Sequence, residues 1–427
     1  MALREECLWE RLLPERRPAP ALGGEVRADV CVIGAGISGL STALHLLEGG
    51  RRVCVLDAQR IGHGGSGRNV GLVNAGTWIA PDEVEQRLGR AIGARLNDVL
   101  STAPALVFRL IERHAIDCQL RRAGTLHMAH NARGAAELQA RHDQWRRRGA
   151  PVELLYGAHC QALCGTPRIA TALLDHRAGT LNPLAYTRGL ADAVLRLGGA
   201  LYEHSAVHAL HRQGADWCVR TAQGTVLAGQ VVIASNAYTE GEWSAVRGQF
   251  FVGYYYQVAS APLSGAAAEA ILPNGEGAWD TRQVLSSIRR DAEGRLLLGS
   301  LGNGTGKPAW FLRRWAERIQ RHYFPQLGNP AWQCTWSGRI AFTPEHLPRL
   351  SEPAPGLLAL TGYNGRGITT GSVVGKAFAD YLRSGERQAL PLPFQAAPAV
   401  SAAGLRSCLY ESAFTLYHLG QCLRVVI

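Results

Sequence analysis

The chain has 427 residues, 47% of them hydrophobic and 19% charged, a balance that excludes a disordered, collagenous or simple coiled-coil protein and suits about two or three domains. Its net charge is +11, and only two of its 45 basic residues, Lys307 and Lys376, are lysines. The arginines fall in short scattered runs such as Arg146-Arg147-Arg148 without interleaved aromatics, which argues against a nucleic-acid partner and reads mostly as compositional bias on solvated faces.

Residues 1–24 alternate charge and proline without the apolar run of a signal peptide, and no stretch reaches the ~20 apolar residues of a membrane span. The expectation is a cytoplasmic protein without membrane association. Residues 28–34 (ADVCVIG) form a β-branched apolar run that leads into glycines, and residues 38–49 follow with apolar positions at Leu40, Ala43, Leu44 and Leu47. This predicts strand, tight turn and helix. Gly49-Gly50 closes the helix, and residues 52–56 return as a second strand ending at Asp57, a βαβ unit with a right-handed parallel crossover.

Residues 81–114 carry helical spacing, 118–129 read as a strand, and 132–148 and 184–197 as helices. Residues 216–234 form a hairpin around Gln223-Gly224, and 247–300 are mostly β, with a turn at 291–294. A helix at 309–322, a strand at 356–362 and a helix at 369–384 follow. After the proline-rich stretch 391–398 the tail is an amphipathic helix, with Leu405, Leu409, Leu416, Leu419 and Leu423 expected to pack against the body. None of the ten cysteines forms a C-x-x-C pair, and Cys160 and Cys164 beside His159 have no second half-site, so no metal site is expected.

The strongest local signal is Gly34-Ala35-Gly36-Ile37-Ser38-Gly39. Gly34 permits the tight turn, Gly36 lets the backbone approach a pyrophosphate, and Gly39 allows close packing of helix on strand. Eighteen residues beyond Gly39, Asp57 stands at a strand end where a carboxylate binds ribose hydroxyls. Ala58 and Gln59 adjoin it. The loop 62–76 then offers Gly65, Ser66, Arg68, Asn69, Gly71 and Leu72, a set of small residues and one guanidinium suited to a doubly charged linker. A second glycine cluster, 299–306, ends an antiparallel strand and precedes Pro308, which argues against a nicotinamide site.

These residues, with IASNAYT at 233–239, GRLLLGS at 294–300, WSGRIAFTPEHLPRL at 336–350 and GYNGRGITTGSVVGKAFADYL at 362–382, resemble the flavin-dependent amine and amino-acid oxidases of the D-amino-acid oxidase superfamily, which includes glycine, sarcosine and γ-glutamylputrescine oxidases. The resemblance implies an α/β fold. A Rossmann-like FAD-binding domain (25–100, 160–240 and 331–390) would interleave with an antiparallel-sheet α+β substrate domain (101–159 and 241–330), and 391–427 would form a C-terminal helical extension. It also implies one FAD bracketed by the first turn and by Gly362, Tyr363, Asn364, Gly365, Arg366, Gly367 and Ile368. Val207 would meet adenine, and Ala234, Ser235 and Asn236 would close over the cofactor.

The position that carries a covalent cysteine in sarcosine oxidases falls at Gly338, so non-covalent FAD is expected, with Cys334 nearby. Relatives that react with oxygen use a lysine near the flavin, a role that neither Lys307 nor Lys376 fits readily. The implied chemistry is oxidation of a C–N bond by hydride transfer to the flavin, the imine then hydrolysing, with oxygen or another acceptor taking the electrons. A non-catalytic FAD-binding protein is the alternative. Substrate-wall candidates are Tyr254 and Tyr256, placed on one face by period-2 alternation, with Trp279 and Trp336; Arg339 and Arg366 are candidates for a substrate carboxylate.

Overall fold

A computed structural model of the chain describes residues 3–240, 243–395 and 399–423. Two sheets organise it. The first has parallel strands at its centre, where Gly24–Ile33 lies between Val53–Leu56 and Gly224–Ile233, with Ala200–Tyr202 beyond the former and Leu357–Thr361 beside the latter. Buried on both faces, these strands read as continuous apolar runs. Cys31 and Cys54 are register partners inside it, small buried hydrophobes as their strand patterns require.

The helix Ile37–Glu48 follows the first strand and packs against the long helix Gly367–Ser384. An ideal Cβ at Gly375 would lie 2.7 Å from the Ser38 carbonyl oxygen, so the glycine is what lets the two helix backbones approach. Both helices therefore begin at the same end of the sheet.

The second sheet has nine strands. The strand Phe251–Pro262 pairs antiparallel with Trp332–Phe342 on one side and Arg295–Leu301 on the other. Trp332–Phe342 and Thr171–Asp175 both lie in this sheet, whereas the expected boundaries group them with the dinucleotide half. The chain passes between the two sheets more often than composition shifts reveal.

Three local expectations need correction. The helical span 81–114 is three helices, Pro81–Leu88, Arg90–Ser101 and Ala103–Arg113, because Gly89 adopts φ +78° and Pro104 starts the third. The strand predicted at 118–129 is confined to Thr125–Met128, since Gln119 and Gly124 both take positive φ before it. The tail does form a helix, Ala403–Cys422, but it docks through Phe414, His418, Gln421 and Cys422, and its leucines face outward. Among the described residues no helix is long and apolar enough to cross a membrane.

Candidate active site

A cleft of about 1600 Å³ runs from the first glycine turn to the nine-stranded sheet. That exceeds the ~300–1,000 Å³ of an ordinary ligand pocket. It has room for a dinucleotide and a second, smaller molecule.

At one end the glycine turn is built for close approach. Gly34 takes φ +109°, and an ideal Cβ at Gly36 would lie 2.7 Å from Ser66 Oγ. The Ile37 amide, at the helix N-terminus, donates to that hydroxyl at 3.0 Å. Asp57 accepts from the Ala35 amide at 2.7 Å through one oxygen and from the Gln59 amide at 2.8 Å through the other. Burial pushes its carboxyl up to about 6, against the pull of these two amides. Remaining lone pairs on the carboxylate are available to hydroxyl donors. Val207 lines the same end.

The opposite wall is the segment before the helix Gly367–Ser384. Asn364 adopts φ +49° and its Oδ1 accepts from the Thr343 amide at 2.9 Å, while the Gly362 amide donates to Asn236 Oδ1 at 3.0 Å. Tyr363 and Ser38 share a hydroxyl hydrogen bond that ties this segment to the first helix. Residues 363–368 line the cleft, so a second helix N-terminus faces the same space as the first.

The middle of the cleft is aromatic and cationic. The Arg366 guanidinium lies 4.9 Å from the Trp279 ring centroid and 5.9 Å from that of Trp78, and His127 stacks on Trp279 at 5.0 Å. No described carboxylate forms an ion pair with Arg366. Burial lowers its pKa to about 9, with the neighbouring Arg141 adding to the shift. Arg141 donates to the Trp78 carbonyl at 2.8 Å and also lines the cleft. Burial and both arginines hold His127 neutral, well below its usual range.

Of the cofactor candidates, most line the cleft, among them Gly65, Ser66, Asn69, Leu72, Ala234 and Ser235. Six do not. Ala35 and Gly39 are buried supports of the turn, an ideal Cβ at Gly39 falling 1.9 Å from the Gly34 carbonyl oxygen. Arg68 donates to the carbonyls of His63 and Ser337. Gly71 takes φ +82° against the Leu181 carbonyl and Arg289, Gly362 takes φ +75° against Thr343, and Gly338 faces the Tyr255 ring.

Among the substrate-wall candidates, Trp279, Arg339 and Arg366 line the cleft, but Tyr254, Tyr256 and Trp336 do not. Tyr256 is buried against Trp315 and His418, Tyr254 packs beside Val252, and Trp336 donates to the Arg68 carbonyl at 2.8 Å. The strand presents its other face, so Tyr255 and Gln257 point to the cleft. Arg339 is committed to Glu240 at 2.8 Å. Trp78, His127, Arg141 and Tyr255 were missed; the opposite parity of the run 254–257 was the available signal for Tyr255.

The residues present fit FAD. The cradle at Gly36 leaves no room for a side chain, two helix N-termini converge, and three residues that line the cleft carry buried polar atoms without protein partners, Tyr255 Oη, Gln257 Oε1 and Trp279 Nε1.

A family model described as FAD dependent oxidoreductase matches residues 29–381. The chain is 33% identical over 371 residues to a gamma-glutamylputrescine oxidoreductase of Escherichia coli, covering 86% of each protein. It is 26% identical to a glycine oxidase of Geobacillus kaustophilus, covering 84% of this chain and 94% of that one. The crystal structure of glycine oxidase from Geobacillus kaustophilus superposes with a TM-score of 0.69 at 24% identity, covering 84% of this chain and 95% of the other, a likeness of fold.

Proposed function

Because the chain belongs to the FAD dependent oxidoreductase family, we propose that it oxidises the C–N bond of a small amine bearing a carboxylate, an amino acid or an N-substituted one, to an imine that water hydrolyses. Arg366 carries this reading: a buried guanidinium with no described carboxylate partner, held between two indoles beside the segment that would hold the flavin. A planar fork in an apolar setting is suited to bidentate recognition of a carboxylate.

When bound between the first glycine turn and residues 363–368, FAD supplies the two-electron acceptor chemistry. The protein's own residues position the donor. Arg366 anchors the carboxylate with Arg141 reinforcing the local positive potential, and Trp78, Trp279 and His127 exclude water around it. The same two cations disfavour an ammonium ion nearby, and His127 stays neutral. The amine therefore binds as the free base, the form whose adjacent C–H is readily oxidised, without a dedicated general base.

The electron acceptor is read as one other than oxygen. Lys307 donates to Thr415 Oγ1 at 3.1 Å and Lys376 pairs with Asp380, and neither lines the cleft.

Anaerobic titration of the holoprotein with a panel of amines tests the proposal. Bleaching of the flavin bands by carboxylate-bearing amines, and not by their decarboxylated counterparts, supports it. Equal bleaching by both removes the role given to Arg366, and bleaching by none leaves an FAD-binding protein without this activity.

A further inference from the structure

The C-terminal helix Ala403–Cys422 lies beyond residue 381, where the family match ends. Its inner face is docked on the body of the protein. His418 Nε2 bonds the Leu301 carbonyl at 2.7 Å, Gln421 accepts from Trp315 Nε1 at 3.1 Å, and Glu411 accepts from the Asn303 amide at 2.8 Å. Among the described residues its outer face has no partner. Leu405, Leu409, Leu416, Leu419 and Leu423 are 38–67% exposed.

Positions 405, 409, 412, 416, 419 and 423 alternate in steps of four and three, the a/d spacing of a coiled-coil seam, with Ser412 the one polar residue in it. At 100° per residue the five leucines fall within a narrow stripe, flanked by Cys408, Ala413 and Gly420. The helix's two charged residues stand off it: Arg406 beside the stripe, Glu411 on the inner side. An interfacial membrane helix would carry a Lys/Arg-rich polar face. Here the opposite face is docked on protein and offers none. A helix docked on protein through one face and apolar on the other is built for burial on both sides.

We propose that this leucine seam pairs with the same seam of a second copy of the chain, giving a two-fold dimer. An isologous contact requires a self-complementary surface, and an a/d seam is one. At roughly 100 Å² per exposed leucine, five from each copy bury about 1,000 Å², the lower bound for a specific interface. Leu409 and Tyr410 belong both to the exposed surface and to the cleft lining. The second copy would therefore wall the outer rim of the cleft.

Sedimentation velocity on the full-length holoprotein is the test, with L416E/L419E and the milder L416Q/L419Q as variants. Neither leucine lines the cleft, and retained flavin absorbance reports folding. The expected result is a wild-type mass twice the 46.1 kDa of the chain, falling to the monomer in the variants. A monomeric wild type, or a dimer indifferent to both double substitutions, overturns the proposal. A monomer that co-sediments with phosphatidylglycerol vesicles through these leucines also overturns it, the occupant then being a lipid surface.

Discussion

The Arg366 guanidinium sits 4.9 Å from the centroid of the Trp279 ring, and no carboxylate among the described residues forms an ion pair with it. Taking a guanidinium out of water is costly unless something compensates, and an indole face offsets only part of that cost. A bound carboxylate would complete the site. Replacing Arg366 by Gln should raise KM for carboxylate-bearing substrates by about 10–100-fold, the loss of a charged hydrogen-bonding anchor, with flavin content unchanged. Arg366→Lys should recover part of the loss, since a point charge remains without the fork. Steady-state kinetics of the two variants against substrates with and without the carboxylate check this.

Asp57 sets a pH dependence of cofactor binding. Its folded-state pKa of about 6 lies above the ordinary carboxylate value of 3.8, so folding favours the protonated form. In the apoprotein this contributes stability below about pH 4 that is lost as pH rises through 6. FAD binding runs the other way, because ribose hydroxyls donate to the ionised carboxylate. FAD affinity of the apoprotein should fall as pH drops below about 6, and Asp57→Asn should bind FAD weakly at every pH with the slope removed. Flavin fluorescence titrations between pH 5 and 8 measure both.

Gly39→Ala should destabilise the protein by roughly 2–4 kcal/mol. The added Cβ would meet the Gly34 carbonyl oxygen at 1.9 Å and the Val32 side chain at 3.1 Å, and the first of these is backbone in the turn itself. Thermal melts and the flavin-to-protein absorbance ratio should drop together.

Acid precipitation should release all the flavin into solution. Gly338 has no side chain to form a link, and Cys334 is buried in an apolar cluster away from the cleft with its thiol pushed up to about 12. A yellow pellet would contradict this.

Reduced holoprotein should be reoxidised by air far more slowly than by an artificial electron acceptor. The guanidiniums that line the cleft are all engaged, Arg366 by the Trp78 and Trp279 rings, Arg141 by the Trp78 carbonyl, Arg282 by Asp280 and Arg339 by Glu240, and both lysines are engaged elsewhere. Stopped-flow traces of flavin absorbance after mixing with oxygen, and peroxide measurement during turnover, distinguish the two cases.

The first glycine turn, the strand carrying Asp57 and the segment 362–368 were legible in the sequence because each is local: a turn, a strand end and a helix start within a few residues. The role expected of the segment 362–368 came from the family resemblance. Tyr254 and Tyr256 were assigned to the wrong face because alternation gives a period and leaves the phase open; the phase comes from which neighbour the strand Phe251–Pro262 buries. Arg339 and Arg366 looked equivalent in sequence, and only the presence of Glu240 beside one of them separated their roles.

By itself the sequence determined the βαβ unit, the dinucleotide turn and the near absence of lysine, all properties of short-range spacing or composition. Tertiary structure alone decided which aromatic rings reach the cleft, that Arg141 joins Arg366 there, and that the tail helix buries Phe414 and His418 while leaving its leucines outside. Those outcomes depend on contacts between segments far apart in the chain, where a helix that docks through Phe414 and His418 turns its leucines away from its own body.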